Sequence, residues 1–122
     1  MNNSVAIIIP ARNEEEIITQ TLESLPVEMC CIVVDNGSTD KTAYLAQQCG
    51  KIVIHESRPG YGRAVLAGIA HAKRIKKGIV IIYDADGADD PINIPKLIAP
   101  ILNDKADMCL GQRTKFAEPG SL

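Results

Sequence analysis

Two carboxylates stand one residue apart directly after a strongly apolar run of the sequence. Asp84 and Asp86 follow residues 79–83, and Gly87 comes next. In an extended chain, residues i and i+2 point to the same side, so both carboxylates can reach one ion. Carboxylate oxygens are the ligands that hard divalent cations such as Mg²⁺ and Mn²⁺ prefer. The spacing therefore favours a metal site at Asp84 and Asp86 over a turn of solvated acids.

A second polar turn follows another apolar run. Asp35 and Asn36 come directly after residues 31–34, and Asp40 stands shortly beyond them. A carboxylate at the end of a strand can accept hydrogen bonds from a nucleobase or a ribose in a neighbouring crevice. Asp and Asn also favour turns by bonding nearby backbone, so a turn role for Asp35 stays open. Asp40 is expected to cap the helix that follows.

The first apolar run ends in Pro10, and the turn after it leads into a predicted helix. Asn13 and Glu16 have capping-box spacing, which predicts Asn13 as the N-cap. Glu14 can bind a ligand, or it can simply complement the helix dipole. This turn contains no GxGxxG pattern, which argues against a dinucleotide-binding Rossmann domain.

Two glycines and two arginines precede a third predicted helix. Gly60 and Gly62 are separated by one residue, and Arg58 and Arg63 lie on either side of the two glycines. Such a loop suits close approach of the backbone to a phosphate, which arginine also binds. The basic run 71–77 lies at the other end of the same helix. Cations at the C-terminal end of a helix interact favourably with the helix dipole, and we interpret the basic run as stabilising the helix.

The apolar runs predict the fold class. Five runs rich in Ile and Val do not alternate with polar residues, which is typical of strands buried on both faces. They are separated by four stretches of helical pattern, which predicts a doubly wound, mostly parallel α/β sheet. Ligands of such sheets bind beyond the carboxyl ends of the strands. The fifth strand is expected at 108–110. The third helix is expected at about 61–77 with Gly78 as its cap, and the fourth from Pro91 to a kink or end at Pro100.

The amino-acid composition and net charge argue against one class of function, nucleic-acid binding. The chain has 122 residues, 46% of them hydrophobic and 23% charged, which is typical of one globular domain covering residues 1–122. Its net charge is −2 and only 3% of its residues are aromatic. The chain lacks the excess of basic residues that binds a nucleic-acid backbone, and it has too few aromatic residues to stack on bases. We therefore expect no nucleic-acid partner.

The cysteines and the lengths of the apolar runs bear on the cellular compartment of the protein. The four cysteines form no CxxC pattern, and the two histidines are not spaced as zinc partners. Three of the four cysteines lie in or beside apolar runs and are expected to be buried thiols. No leader is evident, and the apolar runs are far shorter than the roughly 20 residues that span a bilayer. We expect a cytoplasmic protein and leave peripheral membrane attachment open.

Five segments of the chain, in this order, resemble those of family-two glycosyltransferases with the GT-A fold. They read PARNE, VVDNGSTDKT, GYGRA, DADG and GQR, and they begin at Pro10, Val33, Gly60, Asp84 and Gly111. The DADG and GQR segments look most like the dolichyl-phosphate mannose or glucose synthase branch. The likeness extends from Val5 to Arg113.

The resemblance implies an inverting sugar transfer. The donor would be a nucleotide-diphosphate sugar, GDP-mannose or a UDP-sugar, and polyprenyl phosphate is a candidate acceptor. Asp84 and Asp86 would hold Mg²⁺ or Mn²⁺. Asp86 and Arg113 would be catalytic, and Arg113 would approach the acceptor or leaving-group phosphates. Asp35 is matched to the acid that contacts the base. The predicted substrate-binding residues are Pro10, Ala11, Arg12, Asn13, Glu14, Asp35, Asn36, Arg63, Asp84 and Ala85.

The sequence departs from the family pattern at two of these positions. Arg12 stands where Tyr is common, and Asn36 stands where a second Asp is usual. Family members also continue into an acceptor-binding half beyond the position of Leu122. We therefore expect a donor-binding half with poor turnover by itself. Its exposed sheet edge and apolar face would favour a homo-oligomer.

Three other functions are compatible with parts of this pattern. The main alternative is a nucleotide-sugar-binding module without turnover that needs a partner. A nucleotidyltransferase of similar architecture is disfavoured because its glycine-rich loop after the first strand is absent. A receiver-type phosphorylation domain is disfavoured because Pro10 and Ala11 stand where part of its acid cluster would be.

Overall fold

The apolar runs of the sequence form the strands of one sheet. The computed structural model describes residues 4–85 and the backbone of residues 98–100. In chain order the elements are β1 (Val5–Ala11), α1 (Ile18–Glu23), β2 (Cys30–Asp35), α2 (Thr42–Gln48), β3 (Ile52–His55), α3 (Tyr61–Arg74), β4 (Ile79–Ile82) and β5 (Ile98–Pro100). The first four strands lie at the apolar runs 5–9, 31–34, 52–54 and 79–83, which predicted them.

The strand order of the sheet is β3-β2-β1-β4-β5. Strands β1 to β4 run parallel, and β5 pairs with β4 in the antiparallel direction. The chain moves outward from β1 to β2 and β3, then returns through α3 to β4 on the other side of β1. The predicted doubly wound, mostly parallel α/β sheet is confirmed. The reversal of strand order between β1 and β4 is the switch point at which such sheets bind ligands.

The sheet is covered on both faces, which explains why its strands do not alternate with polar residues. Ile7 and Ile9 of β1 pack with Leu22 of α1 on one face. Ile8 packs with Ile69 of α3 on the other face. Burying one such isoleucine contributes about 1.5–3 kcal/mol to folding. The sheet therefore holds the carboxyl ends of its strands in a fixed arrangement.

The expected fourth helix does not extend to Pro100, because residues 98–100 form strand β5. Val80 of β4 pairs there with Ala99. Proline has no N–H to donate and is tolerated in strands at a sheet edge, which is where β5 lies in the described sheet. The predictions of a helix start at Pro91 and a strand at 108–110 fall outside the described residues.

The predicted N-cap role of Asn13 is wrong. Helix α1 begins only at Ile18, and no side chain caps its first turn. Asn13 has a φ of 54°, in the left-handed region. Its side chain accepts a hydrogen bond from Thr39 N–H at 2.8 Å instead. A bond to a distant loop has replaced the local cap.

The end of α3 also differs from the prediction. The helix ends at Arg74, and Lys76 with a φ of 69° takes the left-handed position expected of Gly78. The N-cap residue of α2 is Lys41, whose side chain makes no cap bond. Asp40, one residue earlier, meets its expected role in part, since its Oδ1 accepts the N–H of Thr42 at 2.9 Å at the start of the helix. Within the described residues, no helix combines the length and the apolar character needed to cross a membrane.

The cysteines agree in part with their expected burial. Cys31 is buried, and burial raises the pKa of its thiol to about 11, so the thiol stays protonated at neutral pH. Cys30 and Cys49 are only partly buried. Cys109 lies outside the described residues.

Gly68 sets the distance between α3 and the sheet. A Cβ atom on this residue would lie 2.5 Å from Cγ2 of Ile8 and 3.1 Å from Cγ2 of Val34. Both neighbours are fully buried and have no room to move aside. The absence of a side chain at Gly68 therefore allows α3 to contact β1 and β2 closely.

We expect Gly68→Ala to lower the free energy of unfolding by about 1–3 kcal/mol, because it overpacks this contact. Gly62→Ala in the same helix is the matched control, since a Cβ there meets nothing within 4 Å. The control should leave stability unchanged or raise it by up to about 1 kcal/mol. Urea denaturation measures both values. Equal stability of the two variants would contradict the close contact.

Candidate active site

A cleft of about 310 Å³ opens at the carboxyl edge of the sheet, where β1 and β4 adjoin. Its lining comes from the end of β1, the turn after β2, the start of α3 and the end of β4. The lining residues are Pro10, Ala11, Arg12, Glu14, Asn36, Gly60, Tyr61, Ala64, Asp84 and Ala85. The cleft lies at the switch point of the sheet, where the fold class places ligands.

Seven of the ten predicted substrate-binding residues line this cleft. The other three, Asn13, Asp35 and Arg63, do not. Asp86 and Arg113, predicted to be catalytic, lie outside the described residues. The list of predicted substrate-binding residues lacks Gly60, Tyr61 and Ala64, which bring the start of α3 to the cleft, although the sequence analysis singled out their loop as suited to a phosphate. Their signal was the glycine-rich turn before a helix, which is common and therefore weak.

Asp84 is held at the cleft by bonds on both sides of it. The N–H of Tyr83 donates to Ile8 O at 2.9 Å, which extends the pairing of β4 with β1. The hydroxyl of Thr21 on α1 donates to Ala85 O at 3.0 Å in a buried position. These bonds fix the backbone on each side of Asp84, so its partly buried carboxylate has a defined place at the rim.

The loops after β1 and β2 are joined by hydrogen bonds, and we call these the loop clasp. Asn13 N–H donates to Ser38 Oγ at 2.9 Å, and Thr39 N–H donates to Asn13 Oδ1 at 2.8 Å. Glu14 N–H donates to Thr42 Oγ1 at 2.8 Å. The clasp fixes the backbone that carries Arg12 and Glu14 into the cleft. Asn13 thus has an evident structural role, and its substrate contact stays a prediction.

A second pair of bonds completes the loop clasp. Glu15 N–H donates to Asp40 Oδ2 at 3.2 Å, and Lys41 N–H donates to Glu15 Oε1 at 3.1 Å. These bonds are exposed, so each contributes less than a buried one. Together they hold the two loops in one register.

Asn36 ties the turn after β2 to the loop that leads into α3. Its Nδ2 donates to Glu56 O at 2.8 Å and to Arg58 O at 2.9 Å. Its Oδ1 accepts the N–H of Gly60 at 3.1 Å. An aspartate could not donate the first two bonds, which gives a physical reason for asparagine at this position. Asn36 lines the cleft while its amide positions the start of α3.

Asp35 lies at the end of β2, buried beside the cleft. Its Oδ2 is 3.3 Å from Nδ1 of His55, the residue paired with it on β3. Its Oδ1 is buried and has no hydrogen-bond partner in the described part of the chain. A buried carboxylate oxygen without a donor is costly, and a ligand N–H would satisfy it.

Glu56 and Arg58 brace the loop before α3. The guanidinium of Arg58 donates to the Glu56 carboxylate from Nε at 2.9 Å and from Nη2 at 3.0 Å. The backbone N–H of Arg58 adds a third bond at 2.9 Å. The side-chain bonds first, and the backbone bond second, lower the pKa of Glu56 to about 2. Arg58 is therefore engaged with Glu56 and is not placed as a phosphate ligand.

Comparison with known families identifies the domain. The model for Glycosyl transferase family 2 matches residues 6–121. The chain belongs to glycosyl transferase family 2. This confirms the resemblance carried by the five sequence segments.

Relatives of this family-two domain include glycosyltransferases of bacteria and archaea. A protein of Mycobacterium tuberculosis described as an uncharacterised glycosyltransferase is 42% identical over 115 residues, covering 94% of this chain and 51% of the relative. A UDP-N-acetylglucosamine–dolichyl-phosphate N-acetylglucosaminyltransferase of Methanococcus voltae is 30% identical over 131 residues, covering 91% of this chain and 52% of the relative. The chain thus spans about half the length of these relatives.

A solved structure of the same fold is glucosyl-3-phosphoglycerate synthase of Mycobacterium tuberculosis, crystallised with Mn²⁺, UDP and glucosyl-3-phosphoglycerate. It superposes with a TM-score of 0.66 at 28% identity, covering 78% of this chain and 38% of that one. Another crystal of that enzyme contains Mn²⁺, UDP-glucose and phosphoglyceric acid. The family-two domain described here has the GT-A glycosyltransferase fold.

The Glu56–Arg58 pair has a testable pH dependence. The folded-state pKa of Glu56, about 2, lies below its ordinary value of 4.5. The contribution to stability is therefore fully present above pH 4.5 and is lost as the pH falls towards about 2. A carboxyl-detected NMR titration should give the low value, and Arg58→Ala should move it towards 4.5. Arg74→Ala, at the far end of α3, should leave it unchanged; equal effects of both variants would contradict the pair.

Proposed function

We propose that this cleft binds the nucleoside diphosphate of a nucleotide-sugar donor. In the whole protein, the sugar would then pass to a polyprenyl phosphate. The observation that carries the proposal is the meeting of Asp84 with Arg12 and the start of α3 in one cleft at the switch point of the sheet. Residues 1–122 would form the donor-binding domain.

A divalent cation at the cleft would take Asp84 as one of its ligands. The Asp84 carboxylate is the type of ligand that Mg²⁺ and Mn²⁺ prefer. The described residues contain no group of three or more His, Cys, Asp or Glu side chains that could hold an ion. Asp84 would therefore act together with Asp86 and with diphosphate oxygens of the donor. When bound, such an ion neutralises the charge of the leaving diphosphate. The Mn²⁺ in the structure of the mycobacterial synthase supports this assignment.

The chain itself supplies positive potential to the donor diphosphate. Arg12 lines the cleft, and a guanidinium binds phosphate oxygens strongly. Gly60, Tyr61 and Ala64 bring the positive end of the α3 dipole to the same space. Helix α3 has no acidic residue in its first turn that would cancel this potential. Arg113 is the proposed contact to the acceptor or leaving-group phosphates.

The nucleoside would lie towards β2 and β3. Asp35 ends β2 there, and its buried Oδ1 has no partner among the residues described. We assign the contact with an N–H of the base to this oxygen. UDP in the structure of the mycobacterial synthase and the UDP-sugar in the name of the Methanococcus voltae relative support uracil as that base.

The proposed acceptor follows from chemistry and from one relative. A polyprenyl phosphate is already an anionic nucleophile, so its attack on the anomeric carbon needs little help from a general base. The Methanococcus voltae relative carries dolichyl phosphate in its name. Inversion at the anomeric carbon would follow from attack opposite the leaving diphosphate.

Asp84→Asn should weaken metal-dependent donor binding, because it removes one anionic ligand while keeping the side-chain size. Isothermal calorimetry of UDP-glucose with and without Mn²⁺ measures the effect. We expect the Mn²⁺ enhancement of affinity to fall at least about tenfold. Glu23→Gln, at the end of α1 and away from the cleft, is the matched control. Equal Mn²⁺ enhancement in both variants would contradict a metal role for Asp84.

The base contact can be tested with a modified nucleotide. Wild-type protein should bind UDP more tightly than UDP methylated at N3, because the methyl group removes the donor that Asp35 accepts. A bond to a buried carboxylate predicts a difference of about tenfold to a hundredfold. Asp35→Ala should abolish the difference, with or without metal. If Asp35→Ala discriminates as well as the wild type, Asp35 is only a turn residue.

A further inference from the structure

The outer side of α3 presents an exposed line of residues with an arginine at each end. Arg63, Leu66, Ala70 and Arg74 follow one another at spacings of three and four residues, so they lie along one line of the helix. All four are exposed, and Lys73 flanks them. We call this set the α3 face. The opposite side of the helix packs on β1, β2 and β4.

Helix α3 itself contains no acidic residue. Residues 57–83 include Arg58, Arg63, Lys73, Arg74, Lys76 and Lys77 but no Asp or Glu. Arg58 forms a fork with the Glu56 carboxylate, and the charge of Arg63 also acts on Glu56. The other side of the sheet differs, since the chain around α1 and α2 carries Glu15, Glu16, Glu23, Glu28 and Asp40. Helix α3 thus carries Arg63, Lys73 and Arg74 and no acid, in a chain whose net charge is −2.

The helix dipole does not account for this distribution. Cations near the end of a helix are favourable, which covers Lys73 and Arg74. The same principle predicts acids in the first turn, where α3 has none. Arg63 stands near that end and opposes the dipole.

We propose that the α3 face docks on the surface of a membrane that contains anionic lipids. Arg63, Lys73 and Arg74 complement such a surface, and each is attracted to it within a Debye length. Leu66, 58% exposed in the middle of the face, can enter the headgroup region. This inference rests on the proposed function, because docking would serve to deliver a lipid-linked acceptor to the cleft.

Docking along α3 would bring the cleft to the bilayer. The helix has 14 residues and is therefore about 21 Å long. Tyr61 and Ala64 at its start line the cleft, while Arg74 lies at the other end. A helix lying flat on the surface would place the cleft rim next to the headgroups. A polyprenyl phosphate could then reach the donor without leaving the membrane.

A fluorescence experiment on the full chain tests which side docks. The protein contains no tryptophan, so Leu66→Trp would report from the α3 face alone. Tyr44→Trp on α2 is the matched control, since Leu66 is 58% exposed and Tyr44 57%. With vesicles of phosphatidylcholine and phosphatidylglycerol, we expect a blue shift at position 66 and none at position 44. Equal shifts, or none at position 66, would overturn the proposal.

A second measurement tests the charges by vesicle sedimentation without nucleotide, so it is independent of donor binding. The double variant Lys73→Gln/Arg74→Gln should lower the partition coefficient about 30-fold, from about fivefold for each basic residue near an anionic surface. Lys41→Gln/Lys51→Gln changes net charge equally and should have little effect. Added salt should release the wild-type protein. Equal losses in both double variants, or binding to duplex DNA with no binding to anionic vesicles, would overturn the proposal.

Discussion

The two-sided burial of β1 is the constraint on which the rest of the structure depends. This strand lies at the centre of the sheet and pairs with β2 on one side and β4 on the other. Because both of its faces are apolar, helices must cover it above and below. The chain therefore passes α1 and α2 on one face and α3 on the other. That path reverses the strand order at β1 and opens the cleft there.

Hydrogen bonds between loops convert this opening into a defined site. The loop clasp joins the turns after β1 and β2, and the amide of Asn36 joins the turn after β2 to the start of α3. The hydroxyl of Thr21 holds the chain beside Asp84. Few of these side chains need to touch a ligand. They stabilise the backbone from which Arg12 and Asp84 enter the cleft.

The fold also separates charge. Among the described residues, α3 carries Arg63, Lys73 and Arg74 and no acid, whereas Glu15, Glu16, Glu23, Glu28 and Asp40 lie around α1 and α2. The close contact at Gly68 packs one side of α3 on β1 and β2, and Arg63 and Arg74 of the same helix are exposed. One helix can therefore supply a positive end to the cleft and a positive face to a surface outside it.

The sequence by itself determined the strands β1 to β4, the mostly parallel sheet and the family. Runs of Ile and Val that are buried on both faces can be recognised from the local sequence. The short segments that carry the family resemblance, such as the one at Asp84, can likewise be recognised without knowledge of the fold. The tertiary structure decided the contacts that residue spacing along the sequence could not show. Asn13 bonds a distant loop and does not cap α1, Arg58 is engaged by Glu56, and Pro100 lies in a strand. Each of these outcomes depends on a partner supplied by another part of the fold, and local periodicity carries no information about that partner.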